Sequence, residues 1–388
     1  MTISNDIKYI GVDDHDLDLF EGQYVVPRGM AYNSYVVLDA KVAVMDTVDQ
    51  NFGSTWLANL DAALAGRKPD YLVVQHMEPD HSANIDRFLA KYPSAKVVAS
   101  AQAFKIMEQF FGPFVAPARQ VVKEGDVLDL GKHKLQFVAA PMVHWPEVIV
   151  TYDSTDKVLF SADGFGKFGA NDVEDPEGWD CEARRYYFGI VGKFGKNVQA
   201  VLKKLAKYDV QVICPLHGPI LKEDLDHYLG LYQTWSAYGV ETPGVVIAYT
   251  SVYGHTKKAV EELAGMLADK GCPRVVVTDL ARDDQAEAVE DAFRHNILVL
   301  ATTTYCGGFF PSMHEFISHL EDHDYQNRTI AFVENGSWMP AATKAMKAIT
   351  DKFTGIEYAE NNVTIRGALN DASRAQLDAL AEELAAKF

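Results

Sequence analysis

The apolar run Tyr71-Leu72-Val73-Val74 empties into Gln75-His76-Met77-Glu78-Pro79-Asp80-His81, which places four metal-ligating side chains within six residues. The run is β-prone and unbroken, and it follows Lys68-Pro69, so it predicts a short buried strand over residues 71–74. The ligand-type residues then occupy the loop beyond that strand, where a rigid sheet can aim several side chains at one point. Two imidazoles with two carboxylates form a mixed nitrogen and oxygen set. Such a set suits iron, manganese or zinc and disfavours calcium or magnesium, which prefer oxygen shells. The ordinary alternative is a solvated acidic loop with two surface histidines.

The same pattern recurs three times. His144 follows an apolar stretch over residues 135–143, Asp163-Gly164 follows residues 157–162, and His217-Gly218 follows residues 210–214. One sheet edge can therefore gather all seven donors. Singly, each of the later three has a plain reading: a hydrogen-bonded core histidine beside Trp145, a turn at Asp163-Gly164, and a strand cap in Pro215-Leu216-His217-Gly218-Pro219.

The order H-x-E-x-D-H, followed by His, Asp and His at strand ends, resembles the metallo-β-lactamase superfamily, and Glu78 at the second ligand position resembles its flavodiiron branch. Hydrolases of that superfamily have a histidine at this position and bind zinc, and a harder carboxylate shifts the preference towards iron. The resemblance implies an N-terminal αββα sandwich. It also implies that His76, Glu78, His144 and Asp163 hold one iron while Asp80, His81, His217 and the same Asp163 hold the other.

At 388 residues the chain exceeds what one hydrophobic core usually serves, so two domains are expected. A formal charge of −18 disfavours nucleic-acid binding, which draws on a surplus of Lys and Arg. No apolar run is long enough to cross a bilayer, and the residues from Met1 to Asp6 lack the pattern of a secretion signal. Cys181, Cys214, Cys272 and Cys306 lie far apart without a C-x-x-C, which excludes a rubredoxin-type module within these residues. A reducing cytoplasm is the expected location.

In chain order, residues 1–27 suggest a short strand pair with His15 exposed, and Asp39-Ala40-Lys41 reads as the turn of a hairpin. Helices are expected over residues 52–64, 82–89, 101–110 and 197–205, a strand at residues 97–99, and two strands around Gly131 within residues 121–137. Residues 172–187 read as a lid. In relatives a tyrosine from about here lies beside the metals; Tyr186 and Tyr187 are adjacent, and Tyr187 is counted among the candidate catalytic residues. Arg184, Arg185, Lys193 and Lys196 suggest a docking patch for an acidic carrier, with a solvated lid as the plainer reading.

A polar stretch bearing Pro and Gly, Tyr238-Gly239-Val240-Glu241-Thr242-Pro243-Gly244, marks the expected boundary between domains at residues 1–243 and 244–388. Beyond it, continuous apolar runs at residues 245–249, 275–277, 297–300 and 330–333 alternate with helical stretches such as residues 255–268. This is the mark of parallel strands in a doubly wound sheet. A capping box of Ser373 with Gln376 opens a last helix expected to bury Leu377, Leu380, Ala381, Leu384 and Phe388. The first strand runs into Ser251-Val252-Tyr253-Gly254-His255-Thr256, hydroxyls and a glycine before a helix, which is an anion nest fit for a mononucleotide phosphate. S-x-Y-G-x-T is similar to the FMN phosphate loop of flavodoxins. By that resemblance Thr302, Thr303, Thr304, Tyr305, Cys306 and Gly307, with Asn335, Gly336, Ser337 and Trp338, flank the flavin ring, Trp338 being the expected stacking partner.

Together the halves imply, by resemblance to flavodiiron proteins over roughly residues 25–360, reduction of dioxygen to water or of nitric oxide to nitrous oxide. The cofactors implied are two non-haem irons and FMN. The partners implied are an external donor such as rubredoxin or a reduced deazaflavin, and a second copy in a head-to-tail homodimer or a dimer of dimers. Two other classes are distinguishable from this one. A zinc hydrolase with an attached flavodoxin domain would contain zinc and no iron. A non-catalytic flavin carrier would have lost at least one of the seven ligands, and all seven are present.

Overall fold

Strands Tyr35–Leu38 and Val42–Met45 pair antiparallel around the turn expected at Asp39-Ala40-Lys41, with Tyr35 opposite Met45. The computed structural model describes residues 3–113 and 115–388; Met1 and Thr2, which begin the stretch read for a secretion signal, lie outside them. Around the hairpin a six-stranded sheet forms in the order Ile7–Tyr9, Tyr35–Leu38, Val42–Met45, Tyr71–Val73, Lys96–Ser100, Arg119–Val122. A second, five-stranded sheet runs Val127–Asp129, Lys134–Ala139, Ile149–Asp153, Val158–Phe160, Val212–Cys214. Tyr35, Val37, Met45 and Val73 from the first sheet meet Leu135, Phe137, Ile149 and Phe160 from the second in one buried core. The sheets therefore pack face to face, with alternate residues of their strands pointing into this core. Helix Gly53–Leu64 covers the outer face of the first sheet and buries Trp56, Leu60 and Leu64. Helix Gly195–Leu205 lies against the second, burying Val198, Val201 and Leu205 while the Lys204 ammonium donates to the Ala139 carbonyl at 2.8 Å. This is an αββα sandwich.

Several boundaries differ from the sequence reading. The expected helix over residues 82–89 is a single turn, Pro79–Ser82, followed by a separate helix, Ile85–Lys91. Pro79 starts the turn, and the turn presents Asp80 and His81. Residues 121–137 take part in three strands, because Arg119–Val122 closes the first sheet before Val127–Asp129 and Lys134–Ala139 open the second. Arg184 and Arg185 are each only 2% exposed, so they offer no docking surface. Arg185 instead bonds Glu182 and the Val25 carbonyl, and Arg28 reaches Glu182 and Asp175, which ties the lid to the N-terminal hairpin.

The chain divides into two compact units, the first ending at Gln233 and the second starting at Thr234, ten residues ahead of the expected 243/244. The stretch read as a linker is hydrogen-bonded within the second unit: Arg328 donates to the carbonyls of Tyr238 and Gly239, His295 meets the Thr242 carbonyl, and Trp235 donates to Glu241. In that unit the parallel strands Val275–Asp279, Val245–Tyr249, Ile297–Tyr305, Thr329–Asn335 and Glu357–Tyr358 lie side by side in this order. Strand order reverses between Val245–Tyr249 and Ile297–Tyr305, and the crevice beyond the carboxyl ends at such a reversal is where doubly wound sheets bind ligands. The last helix, Asp371–Ala385, is capped by Asn370 with Ser373 in the reciprocal position, three residues ahead of the expected box. Leu377, Leu380, Ala381 and Leu384 are buried as expected, but Phe388 lies past the helix end and is 45% exposed. Among the described residues no helix is long and apolar enough to cross a membrane.

Candidate functional site

All seven predicted donors converge at one edge of the sandwich, in two groups: His76, Glu78, His144 and Asp163, then Asp80, His81 and His217. Each follows a strand end, so the sheets fix their origins and the short loops fix their aim. Asp163 faces both groups. Its Oδ2 lies 3.2 Å from His76 Nε2 and 3.1 Å from His144 Nε2, while its Oδ1 lies 3.2 Å from His81 Nε2 and 3.9 Å from His217 Nε2. Glu78 Oε2 stands 3.2 Å from His76 Nε2 and 3.0 Å from His144 Nε2; Asp80 Oδ2 stands 3.4 Å from His81 Nε2 and 3.2 Å from His217 Nε2.

These spacings suit metal ions. Donor atoms ~2.1 Å from one ion and at right angles to each other are ~3 Å apart, close to the 3.0–3.2 Å of the His76 group, while the other group is looser, out to 3.9 Å between Asp163 and His217. Both carboxylate oxygens of Asp80 and of Asp163 are buried without a hydrogen-bond partner, and the His81 and His217 Nε2 atoms face each other at 3.1 Å. Buried charges are held by pairing or by metals, and a cation between these atoms would satisfy them. Burial, the largest influence on His144, pulls its pKa down, but Asp163 and Glu78 outweigh it and lift it to about 9. Burial raises Asp163, yet His76 and the other imidazoles hold it well below the usual carboxylate range. His144 therefore keeps a proton that an incoming metal would displace, while Asp163 is already charged.

The surroundings hold groups that sequence reasoning missed. Glu147 Oε1 meets His76 Nδ1 at 2.9 Å and accepts the Met77 N–H at 2.9 Å. Asp46, pushed up to about 6 by burial against the hydrogen bonds it accepts from Gln75, receives both the backbone N–H and the side-chain amide of that residue. Glu21, exposed at the turn between Leu19–Phe20 and Tyr24–Val25, is raised to about 7 by partial burial and then by the charge of Glu78. The sequence marked Glu147 only by its place three residues past His144, and Asp46 only by its place after the apolar run Val42–Met45. The structure places Tyr186, rather than Tyr187, against the centre. The Tyr186 ring lies 5.5 Å from that of His217, and its hydroxyl is buried without a partner and raised well above 10 by burial and by Asp163. Tyr187 packs edge-on against Phe188 and Tyr232.

In the second unit a cleft of about 510 Å³ is lined by Ser251, Val252, Tyr253, His255, Thr256, Thr303, Thr304, Tyr305, Cys306, Gly307, Asn335, Gly336, Ser337 and Trp338, together with Met339 and Gly367, which were not anticipated. Two expected residues do not line it. Thr302 is buried between strands, its hydroxyl 2.6 Å from that of Thr250, because alternation along the strand turns it inward. Gly254 supports the loop at φ +87, a conformation that favours glycine, with its N–H on Ser251 Oγ at 3.1 Å. No side chain caps helix His255–Asp269, so its first N–H groups are free for an anion. Hydroxyls, an uncapped helix start and exposed aromatic walls fit a flavin mononucleotide.

Comparison with known proteins gives two family models, "ODP family beta lactamase" over residues 30–218 and "Flavodoxin domain" over residues 246–370. A putative diflavin flavoprotein A 2 from Synechocystis is 35% identical over 71% of this chain. The chain spans about half the length of that protein, 48%, and 46% of a related one from Thermosynechococcus vestitus. An anaerobic nitric oxide reductase flavorubredoxin of Escherichia coli is 28% identical over 88% of this chain and 73% of its own. Among solved structures, rubredoxin oxygen:oxidoreductase from Desulfovibrio gigas superposes with a TM-score of 0.92 at 25% identity, covering 100% of this chain and 98% of its own. The flavodiiron protein from Giardia intestinalis superposes with a TM-score of 0.91 at 22% identity over 98% of this chain and 95% of its own.

Proposed function

The chain belongs to the flavodiiron proteins, and from that membership we propose that it reduces dioxygen to water, nitric oxide to nitrous oxide, or both, with electrons from an external donor. One observation carries the proposal. Two donor groups of equal composition share Asp163, with Glu78 where a zinc hydrolase of this fold has a third imidazole, in the same chain as a cleft suited to FMN. When bound, the iron pair supplies the electrons and Lewis acidity for gas reduction, and FMN stores electrons arriving from the donor.

The chain's own residues set the conditions. His76, Glu78, His144 and Asp163 would hold one iron, and Asp80, His81, His217 and Asp163 the other. Hard carboxylate oxygens keep both oxidation states of iron tolerable. Phe20, Tyr32 and Tyr186 wall the His217 side, with rings 5.4, 6.0 and 5.5 Å from its imidazole, and restrict water there. The Tyr186 hydroxyl, raised by burial and by the nearby carboxylates, keeps its proton. In the second unit Ser251 and Thr256 with the helix start bind the phosphate, while Thr303 to Gly307 and Asn335 to Trp338 frame the ring.

The donor is a rubredoxin or a reduced deazaflavin, the assembly a head-to-tail homodimer or dimer of dimers, and the location the cytoplasm. Two relatives support the substrate pair by their names, one a nitric oxide reductase and one a rubredoxin:oxygen oxidoreductase. Anaerobic stopped-flow mixing of the reduced, metal-loaded protein with each gas tests this reading. Flavin reoxidation by at least one gas, lost when iron is removed, is expected; equal reoxidation with and without iron would sink it.

A further inference from the structure

The two donor groups are matched in composition, each with two imidazoles, one carboxylate of its own and a share of Asp163, but they differ in what stands behind the imidazoles. Behind His76 stands a carboxyl group: Glu147, 2% exposed, places Oε1 2.9 Å from Nδ1 and accepts the Met77 N–H with the same oxygen, while Oε2 is buried without a hydrogen-bond partner. Glu147 is itself held. Ser100 donates to its carbonyl at 2.9 Å, and the Trp145 ring from the same loop stands edge-on 5.3 Å from the His76 ring. Among the described residues, only a neutral acceptor stands behind His217, the Ala31 carbonyl at 2.7 Å, and His81 Nδ1 is buried with no hydrogen-bond partner.

A carboxylate behind a ligating imidazole fixes the tautomer, orients the ring and raises the basicity of the metal-facing nitrogen; a carbonyl does this less, and an unpartnered nitrogen not at all. Glu147 also fixes the start of the ligand loop through Met77 N–H, so ring and backbone are set by one group. We propose that Glu147 is a positioning residue that makes the centre unequal, so that the His76 group holds its metal more tightly than the group of His81 and His217. The inference rests on the two-metal reading above.

The test is stepwise metal binding by the full metal-free chain, titrated anaerobically with cobalt(II) against a competing chelator, with visible absorption following each step. The wild type should show two steps separated by tenfold or more. Glu147→Gln keeps the shape and an acceptor for Met77 but removes the charge. It should weaken the tighter step by about 10- to 100-fold and leave the weaker one in place. Glu147→Asp should recover part of the loss, and His217→Ala should remove the weaker step alone. Melting of the metal-free variants checks folding separately. Unchanged steps in Glu147→Gln, equal weakening of both steps together with a lowered melting temperature, or loss of the tighter step in His217→Ala would each overturn the inference. Failure to bind two ions at all would overturn the two-metal reading instead, whereas two ions bound with equal affinity would overturn only this one.

Discussion

The metal centre and the flavin cleft both collect side chains from loops at strand ends, yet the first hides its donors and the second leaves its largest ones in solvent. His76, His81, His217 and Asp163 are 0% exposed, whereas Trp338 is 88% and Tyr253 89% exposed. Charges cannot be buried singly, so the metal ligands must pair with one another and with Glu147, Asp46 and backbone groups before any ion arrives. That pairing presets their geometry and keeps reorganisation on binding small. A flavin is large, flat and mostly uncharged, so its cleft needs only a fixed phosphate anchor.

The strongest way to break this contrast is to remove the group shared by both metals. Asp163→Ala should lower gas reduction by roughly a thousandfold or more, since it loses the several kcal/mol that a bound metal contributes. Iron content should fall in the same variant, measured by mass spectrometry, while flavin content stays at wild-type level. In the second unit the matching change is smaller. Thr256→Val removes one hydroxyl from a charged phosphate, at about 1.5–3 kcal/mol, and should weaken FMN binding by roughly 10- to 100-fold by fluorescence titration, with iron unchanged. Trp338→Ala should cost about 1 kcal/mol of stacking, several-fold in affinity, and leave the melting temperature of the flavin-free protein unaltered because the side chain is exposed.

The smallest effect is one of pH, and its sign should differ between the units. Buried His133 is pulled down by burial, but Asp153 at 2.9 Å and Asp6 at 3.3 Å outweigh this and raise it above its ordinary 6.5. Its contribution to the first unit is complete below pH 6.5 and lost as pH rises through the raised value. His319 is lowered from 6.5, by burial first and then by His323, so the second unit should lose stability as pH falls below 6.5. Scanning calorimetry of the full chain at several pH values should show the two transitions drifting in opposite directions. His133→Gln should flatten the first drift, and His319→Gln the second.

The contrast also governs what was legible in the chain. The seven donors stood out because each follows an apolar run, and burying a donor at a strand end leaves that trace in sequence. The group behind His76 left none: Glu147 is a lone carboxyl whose burial arises from loops that meet only in the folded sandwich, whereas Asp46 ends the apolar run Val42–Met45 and left the same trace as the donors. Tyr186 and Tyr187 could not be separated, since adjacent helical residues point about 100° apart and only the packing of Phe168 and His217 selects one. Arg184 and Arg185 read as surface charge in the sequence, but both are buried, and Arg185 shares Glu182 with Arg28. In the flavin cleft the loops were found but their inward and outward members were not, as Thr302 shows.

If these seven side chains hold two irons, in a chain that also holds FMN, the protein carries a fixed ratio of the two cofactors. Metal and flavin content measured on one preparation, by mass spectrometry and by visible absorbance, tests it most directly. Two irons and one FMN per chain are expected; zinc without iron, or a single metal ion per chain, would contradict it.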